Sequence, residues 1–154
     1  MFYSVVLAVS VFLLTAWLHL TALRWISNGM AAVPLTPTNR ILAVVIVLYA
    51  VHFAEIAIYA AAFAAGEHWL ALGAFSGETM ESSLDYLYFS SVSYTSLGIG
   101  DIFPTGHLRF LTGVEALNGL LLIAWSASFL FSMMNQLWDW RPCAEPVKRG
   151  VRSQ

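Results

Sequence analysis

The sequence predicts an all-α membrane protein in which three helices cross the bilayer and a fourth, shorter helix enters it without crossing. Of the 154 residues, 59% are hydrophobic and only 10% are charged, whereas about a quarter of the residues in a soluble domain are charged. Three apolar runs, at 2–26, 41–65 and 107–134, have the roughly 20 residues that a spanning helix needs. The composition therefore argues against an ordinary soluble globule.

The first apolar run, at 2–26, is long enough to span the membrane. A secretory signal peptide is the competing interpretation, but the run lacks a positively charged start and no small-x-small cleavage pattern follows it. Arg24 and Trp25 are typical of an anchor at the membrane interface. We therefore predict a transmembrane helix in the N-terminal segment at 1–27, packed on the periphery of the other helices.

A short loop at 28–38 separates the first two spans. Its turn-forming residues are Asn28, Gly29, Pro34 and Pro37. Thr38 or Asn39 is the expected N-cap of the second helix, because both side chains accept hydrogen bonds from the free N–H groups of a first turn. The run at 41–65 then crosses the membrane with some tilt.

The segment between the second and third spans changes character. Residues 66–83 are rich in glycine and acids, and we predict an exposed connection there. A helix at 84–95 follows, because Ser82 lies three residues before Asp85 in a pattern that resembles a capping box. A helix of about 12 residues is only about 18 Å long. It is too short to span and has the proportions of a re-entrant helix.

The basic residues predict the orientation of the chain. Of the seven, Arg24 and Arg40 flank the loop at 28–38, and four more lie in a tail at 135–154. With three spans these six fall on one side, which the positive-inside rule makes cytoplasmic. We therefore expect a multi-pass protein of the cell (inner) membrane with its N-terminus outside and its C-terminus in the cytoplasm. The acids of the outer side are Glu67, Glu78, Glu81, Asp85 and Asp101. Such a surface concentrates cations.

One loop, at 95–101, carries the chemistry. It reads Thr-Ser-Leu-Gly-Ile-Gly-Asp and lies between the short helix and the third span. Irregular backbone is tolerated at membrane depth only when it is buried in protein or lines a water-filled path. The loop resembles the selectivity filter of the tetrameric potassium-channel family, of the two-transmembrane pore-loop type found in bacteria, whose signature is Thr-Val-Gly-Tyr-Gly followed by Asp. The resemblance covers roughly 41–134.

The resemblance implies a homotetramer in membrane lipid, in which each chain contributes a pore domain at 39–134. Dehydrated K+ ions would pass through rings of backbone carbonyls, so neither catalysis, a cofactor, nucleic acid nor a soluble partner is expected. The K+-binding residues are Ser96, Leu97, Gly98 and Ile99, with Gly100 completing the filter. The residues expected to support the filter are Tyr88, Thr95, Asp101 and Glu115. Those expected to line the cavity or to act in gating are Asn118 and Gly119.

Particular contacts follow from the same resemblance. Asp101 is expected to form a hydrogen bond behind the filter to Tyr88. Glu115 is expected to reach the back of the short helix near Ser93 or Tyr94.

Gly119 aligns with the family's hinge glycine, and a glycine weakens a helix interior by about 1 kcal/mol relative to alanine. The alternative for Gly119, and for Gly113 on the same helix, is close packing against a neighbouring helix.

Three residues of the loop differ from the family, and Leu97 for valine is a conservative change, because only its carbonyl would face the ion. Ser96 stands where threonine is usual, and its hydroxyl would add the innermost ring of oxygens. Ile99 stands where the family has a tyrosine that donates a hydrogen bond to the surrounding structure. We predict a potassium-selective channel, and the alternative is a weakly selective monovalent cation channel of the same architecture.

Ionisable residues inside the membrane call for partners. His52 and Glu55 lie three apart, on one face of the second span. For these two and Glu115 the interpretations are structural hydrogen bonding or a role in gating or proton sensing. A membrane enzyme or metal-binding protein centred on His19, His52 and Glu55 is an alternative of another class, and a pore fold that does not conduct is a further one.

Overall fold

The computed structural model describes residues 1–29 and 33–137, and this part of the chain is mostly helical. The elements are α1 (Phe2–Gly29), α2 (Pro37–His68), β1 (Phe75–Gly77), α3 (Ser83–Tyr94), β2 (Ile102–Pro104) and α4 (Leu108–Leu137). By length and composition, α1, α2 and α4 are each able to cross a membrane. The all-α class and the three apolar helices are thus confirmed. The predictions for 138–154, most of the expected tail, lie outside the described residues.

Helix α2 begins earlier than predicted. Thr36 is its N-cap, and the Thr36 hydroxyl accepts a hydrogen bond from the N–H of Asn39 at 3.4 Å. Pro37 occupies the first turn, where a missing N–H leaves no helical hydrogen bond unmade. The expected N-caps, Thr38 and Asn39, are therefore wrong, since both lie inside the helix. The loop predicted at 28–38 is correspondingly shorter.

Helix α3 has the predicted length and the predicted cap. The carboxylate of Asp85 accepts hydrogen bonds from the N–H of Ser82 at 2.7 Å and from the N–H of Glu81 at 2.8 Å. These backbone donors, Ser82 first, hold the pKa of Asp85 below its usual range. The carboxylate is therefore ionised at neutral pH, next to the partially positive end of the helix dipole.

The connection between α2 and α3 is more ordered than the sequence indicated. Strands β1 and β2 pair antiparallel, with Phe75 opposite Pro104 and Gly77 opposite Ile102. Gly77 has a φ of 102°, and a Cβ there would lie 2.0 Å from the carbonyl oxygen of Asp101. The connection is therefore fastened to the backbone that follows the 95–101 loop, through a contact that only glycine permits.

Aromatic side chains attach this small sheet to the helices. Phe75 of β1 packs edge-to-face on Phe89 of α3 and on Phe63 of α2, with ring centroids 4.9 and 5.8 Å apart. Phe63 and Phe89 also meet edge-to-face at 5.0 Å. Such pairs favour this geometry beyond the burial of their area. The three rings fix the short helix against α2 at one end of the molecule.

Helix α1 lies along α2 and α4. Its buried residues recur every three or four positions: Ser4, Ala8, Val11, Thr15, His19, Leu23 and Ile26. This spacing places them in one stripe. Because three of the seven are polar, α1 is held by specific hydrogen bonds as well as by apolar packing.

Helix α4 approaches the end of α3 closely at Gly119. A Cβ at Gly119 would lie 2.1 Å from the carbonyl oxygen of Tyr94, whereas a Cβ at Gly113 would meet nothing within 4 Å. The close-packing alternative is therefore observed for Gly119, and for Gly113 it is not observed among the described residues. Bending at Gly119 stays a prediction.

Gly119→Ala is expected to lower the free energy of unfolding by about 1–3 kcal/mol, because the new methyl group must displace the backbone of α3. Gly113→Ala is the matched control. It is expected to leave stability unchanged or to raise it by up to about 1 kcal/mol, since alanine favours the helix. Denaturant titration of the purified protein in detergent micelles measures both. Equal effects of the two substitutions would contradict the contact.

Candidate functional site

The 95–101 loop leaves α3 abruptly and lies on the surface of the chain. Val92, Ser93 and Tyr94, at the end of α3, are buried, whereas every residue from 95 to 100 is exposed. Even the apolar side chains of Leu97 and Ile99 are 67% and 57% exposed. A loop this exposed at the end of a buried helix is available to contact other copies of the chain or water.

The loop begins with a helix cap that the sequence did not reveal. The N–H of Ser96 donates to the carbonyl of Ser93 at 2.9 Å, and the N–H of Leu97 donates to the carbonyl of Val92 at 2.9 Å. Ser96 itself has a φ of 57°. This is a Schellman motif, in which the residue after the cap takes the left-handed conformation. It gives partners to carbonyls that would otherwise lie unsatisfied at the end of α3.

Positive φ angles recur at every second residue of the loop. Gly98 has a φ of 60° and Gly100 a φ of 85°, as the sequence predicted, and Ser96 extends the series. Leu97 and Ile99, between them, have negative φ. Nothing lies within 4 Å of a Cβ at Gly98. Glycine is therefore favoured there by the positive φ, since a side chain would have room. Alternation of left- and right-handed residues turns successive peptide groups to the same side.

The outer end of the loop is tied to the middle of α3. The Tyr88 hydroxyl donates a hydrogen bond to the carboxylate of Asp101 at 2.6 Å, the contact expected from the resemblance. The N–H of Ile102 donates to the other carboxylate oxygen at 2.9 Å. The hydrogen bond from Tyr88 lowers the pKa of Asp101, and the same bond raises the pKa of Tyr88. The bond is therefore between a phenol and a carboxylate at neutral pH.

Besides Asp101, two of the acids predicted for the outer side accept hydrogen bonds that hold the fold together. Glu67 accepts hydrogen bonds from the Tyr86 hydroxyl and from the N–H of Phe75, and Asp85 caps α3. Glu78 and Glu81 are exposed.

Glu115 reaches the back of α3, close to the residues expected. Its carboxyl oxygen lies 2.5 Å from the hydroxyl of Ser90, which is one turn before Ser93 and Tyr94. The same hydroxyl oxygen lies 2.8 Å from the carbonyl oxygen of Ile56 on α2, and its single hydrogen serves one of these two contacts. Glu115 and Ser90 are fully buried. The pair fastens α4 to the back of α3.

The expectation that Asn118 lines a cavity below the loop is wrong. Its side-chain amide donates to the Thr15 hydroxyl at 2.7 Å and to the Tyr59 hydroxyl at 3.0 Å. Asn118 is 1% exposed. The side chain therefore points between α1 and α2, because polar groups are available there to pair with it.

A second polar centre lies just beneath the loop. The Nδ1 atom of His19 is 2.9 Å from one oxygen of Glu55, and the Nδ1 atom of His52 is 3.1 Å from the other. The Tyr94 hydroxyl donates to Glu55 at 2.6 Å, and the Ser126 hydroxyl lies 2.9 and 3.2 Å from the Nε2 atoms of His52 and His19. We call these five side chains the His–Glu cluster. It joins α1, α2, α3 and α4.

The two histidines of the His–Glu cluster face the same kinds of partner. Both Nδ1 atoms face oxygens that accept, while both Nε2 atoms face Ser126, whose hydroxyl has one hydrogen to donate. Ser126 can therefore donate to one of the two imidazoles and can accept from the other.

The same residues also have the composition of a metal site. Ligand atoms of His19, His52 and Glu55 lie within 4.8 Å of one another, and two histidines with one carboxylate form a known zinc ligand set. Each residue already makes hydrogen bonds within the described part of the chain. The cluster is therefore complete as a hydrogen-bonded structure, and the geometry favours the structural interpretation of His52 and Glu55.

Comparison with known proteins gives one match. A model of the protein family described as "Ion channel" matches residues 46–136, more than half of the chain. The match takes in most of α2, all of α3 and the 95–101 loop, and nearly all of α4. Helix α1 lies outside it. No curated protein and no solved structure shows a significant match.

Tyr88→Phe is expected to raise the pKa of Asp101. The Tyr88 hydrogen bond is the main cause of the lowered pKa. The contribution of this carboxylate to the stability of the fold is therefore present at neutral pH and is lost as the pH falls through its folded pKa. Without the hydroxyl, that loss begins at a higher pH. Carbon-13 NMR titration of labelled aspartates measures the change. Asp85 is the internal control, because its backbone donors are untouched. An unchanged Asp101 titration would show that the bond is absent in solution.

Proposed function

The chain belongs to the ion channel family, and on that premise we propose that it is a potassium-selective channel. Four copies would surround one axis, with the 95–101 loop of each copy facing it. The observation that carries the proposal is the alternation of φ at Ser96, Gly98 and Gly100 in an exposed loop between two membrane-spanning helices. Family membership also favours ion transport over an enzymatic role.

The mechanism rests on backbone carbonyls. Rings of oxygens from Ser96, Leu97, Gly98 and Ile99, completed by Gly100, would replace the hydration shell of K+ as the ion enters. The partially negative end of α3 would favour a cation on the inner side of the loop. Thr95 lies at the C-cap of α3, and its hydroxyl donates to the carbonyl of Ser91 at 2.8 Å. The chain would need no cofactor beyond the permeating ion.

The arrangement in the membrane follows from charge. With Arg24 and Arg40, which flank the first loop, at the cytoplasmic side, the N-terminus and the 95–101 loop would lie outside. The exposed acids Glu78 and Glu81 then belong to the outer mouth, where they raise the local concentration of cations.

A weakly selective cation channel is the second candidate, and Ile99 favours it. An isoleucine has no hydroxyl with which to brace the loop against its surroundings, and the Ile99 side chain is 57% exposed within one chain. A loop with fewer braces holds its oxygens less rigidly and discriminates less between K+ and Na+.

Reconstituted protein is expected to conduct K+ in planar bilayers. With equal concentrations of K+ on one side and Na+ on the other, the reversal potential should be far from zero, with the sign set by K+ leaving its own side. Equal permeability to both ions would establish the second candidate instead. Absence of any cation current from purified, assembled protein would contradict both.

Gly100→Ala is expected to abolish the K+ current. A non-glycine residue in a left-handed conformation costs roughly 1–2 kcal/mol, and each assembled pore would carry the substitution in every copy. Gly113→Ala is the matched control, since a Cβ there meets nothing within 4 Å of its own chain. A Gly100→Ala variant that conducts like the wild type would remove the loop from the ion pathway.

A further inference from the structure

Helix α1 is bonded to the family-matched region at three levels. The Ser4 hydroxyl donates to the carbonyl of His107 at 3.1 Å, and the Thr15 hydroxyl accepts from Asn118 at 2.7 Å. His19 enters the His–Glu cluster. Apolar packing alone would suffice for a helix that only lies against its neighbours. The third contact differs from the other two, because the cluster that His19 enters also includes Tyr94, the residue just before the 95–101 loop.

One side chain separates α1 from the last residue of α3. Glu55 accepts from His19 on one carboxylate oxygen, at 2.9 Å, and from the Tyr94 hydroxyl on the other, at 2.6 Å. His19 and Glu55 have no exposed surface, and Tyr94 is 1% exposed. Water does not compete for these contacts, so each is strengthened by the low dielectric of its surroundings.

Tyr94 is held at both of its ends. Its hydroxyl lies between Glu55 and His52, and its backbone carbonyl lies against the Cα of Gly119, with no room for a methyl group. It stands two residues before Ser96, whose N–H closes the helix cap. A displacement of the Tyr94 ring therefore acts on the start of the loop.

We propose that α1 sets the geometry of the ion-conducting loop, with His19 and Glu55 as positioning residues that act through Tyr94. Helix α1 is then a working part of the pore, although it lies outside the region that the family model matches. The competing role is purely structural: α1 would help the protein to fold and assemble without influencing the loop. The proposal rests on the proposed function only for its permeation measurement.

The variants remove the connection at each end. Tyr94→Phe deletes only the hydroxyl. His19→Gln places an amide near the position of Nε2, which faces Ser126, whereas His19→Asn places an amide nitrogen near the position of Nδ1 and can still donate to Glu55. Ser4→Ala is the control, since it weakens the docking of α1 without touching the His–Glu cluster.

The first measurement is amide hydrogen exchange of the loop in the full-length assembled protein. The N–H groups of Ser96 and Leu97 are protected by their bonds to the end of α3. Tyr94→Phe and His19→Gln are expected to speed exchange in the peptide containing them by about fivefold, in the range of coupling between packed sites. His19→Asn and Ser4→Ala are expected to leave it near the wild-type rate.

The second measurement is the K+ to Na+ permeability ratio from reversal potentials. Tyr94→Phe and His19→Gln are each expected to lower it by about fivefold. The permeability ratio of the double variant, Tyr94→Phe with His19→Gln, should be no lower than that of either single variant, because both substitutions remove the same connection. His19→Asn should restore the ratio.

Four results would overturn the proposal: unchanged exchange in Tyr94→Phe, equal effects of His19→Asn and His19→Gln, additive effects in the double variant, or the same change in Ser4→Ala. Wild-type protein that passes no K+ would refute the proposed function. The exchange measurement would still decide whether α1 positions the loop.

Discussion

Backbone groups at membrane depth must find partners within the protein, and this constraint shapes the centre of the molecule. Helix α3 ends with three buried residues, Val92, Ser93 and Tyr94, so its last carbonyls need partners within the chain. The next residues of the chain supply these partners, because the N–H groups of Ser96 and Leu97 donate to the carbonyls of Ser93 and Val92. The cap requires a left-handed Ser96, and the left-handed Gly98 and Gly100 continue the alternation. The conformation at the start of the loop is thus the one that caps the C-terminus of α3.

The same constraint places the polar side chains. Asn118, Glu115 and His19 are almost entirely buried, and each contacts a polar group on another helix. A hydrogen bond between two helices removes two polar groups from contact with lipid. Residues that a sequence-based reading assigns to a cavity or a sensor therefore become the contacts that fix one helix against another.

The ends of the loop are fastened by different means. On the outer side, Tyr88 bonds to Asp101, and strand β1 pairs with the residues that follow. On the inner side, Tyr94 is held by Glu55 and by the close approach of Gly119. The outer contacts are partly exposed and are weakened by water. The inner contacts are buried, and through His19 they extend to α1.

The sequence by itself determined the membrane class, the three long helices, the length of α3 and the positive φ of the two glycines. These properties follow from apolar content, local capping and the absence of a Cβ, and neighbouring residues decide them. The bond between Tyr88 and Asp101 was also foreseen, through the resemblance of the loop to a known filter. The Thr36 cap was missed, because Thr36, Thr38 and Asn39 are all competent caps and only the geometry selects one.

Only the tertiary structure decided which polar groups meet. His19 lies far along the chain from Glu55, and no spacing rule predicts that α1 docks at that rotation. Asn118 was assigned to the wrong side of α4 for the same reason: apolar residues surround every face of this helix, so the sequence does not fix its rotation. The left-handed Ser96 at the start of the loop likewise depends on the carbonyls it must cap. The filter-like loop is bonded to α3 and to the connection that carries β1, whereas Tyr94, just before it, is held by α2 and α4.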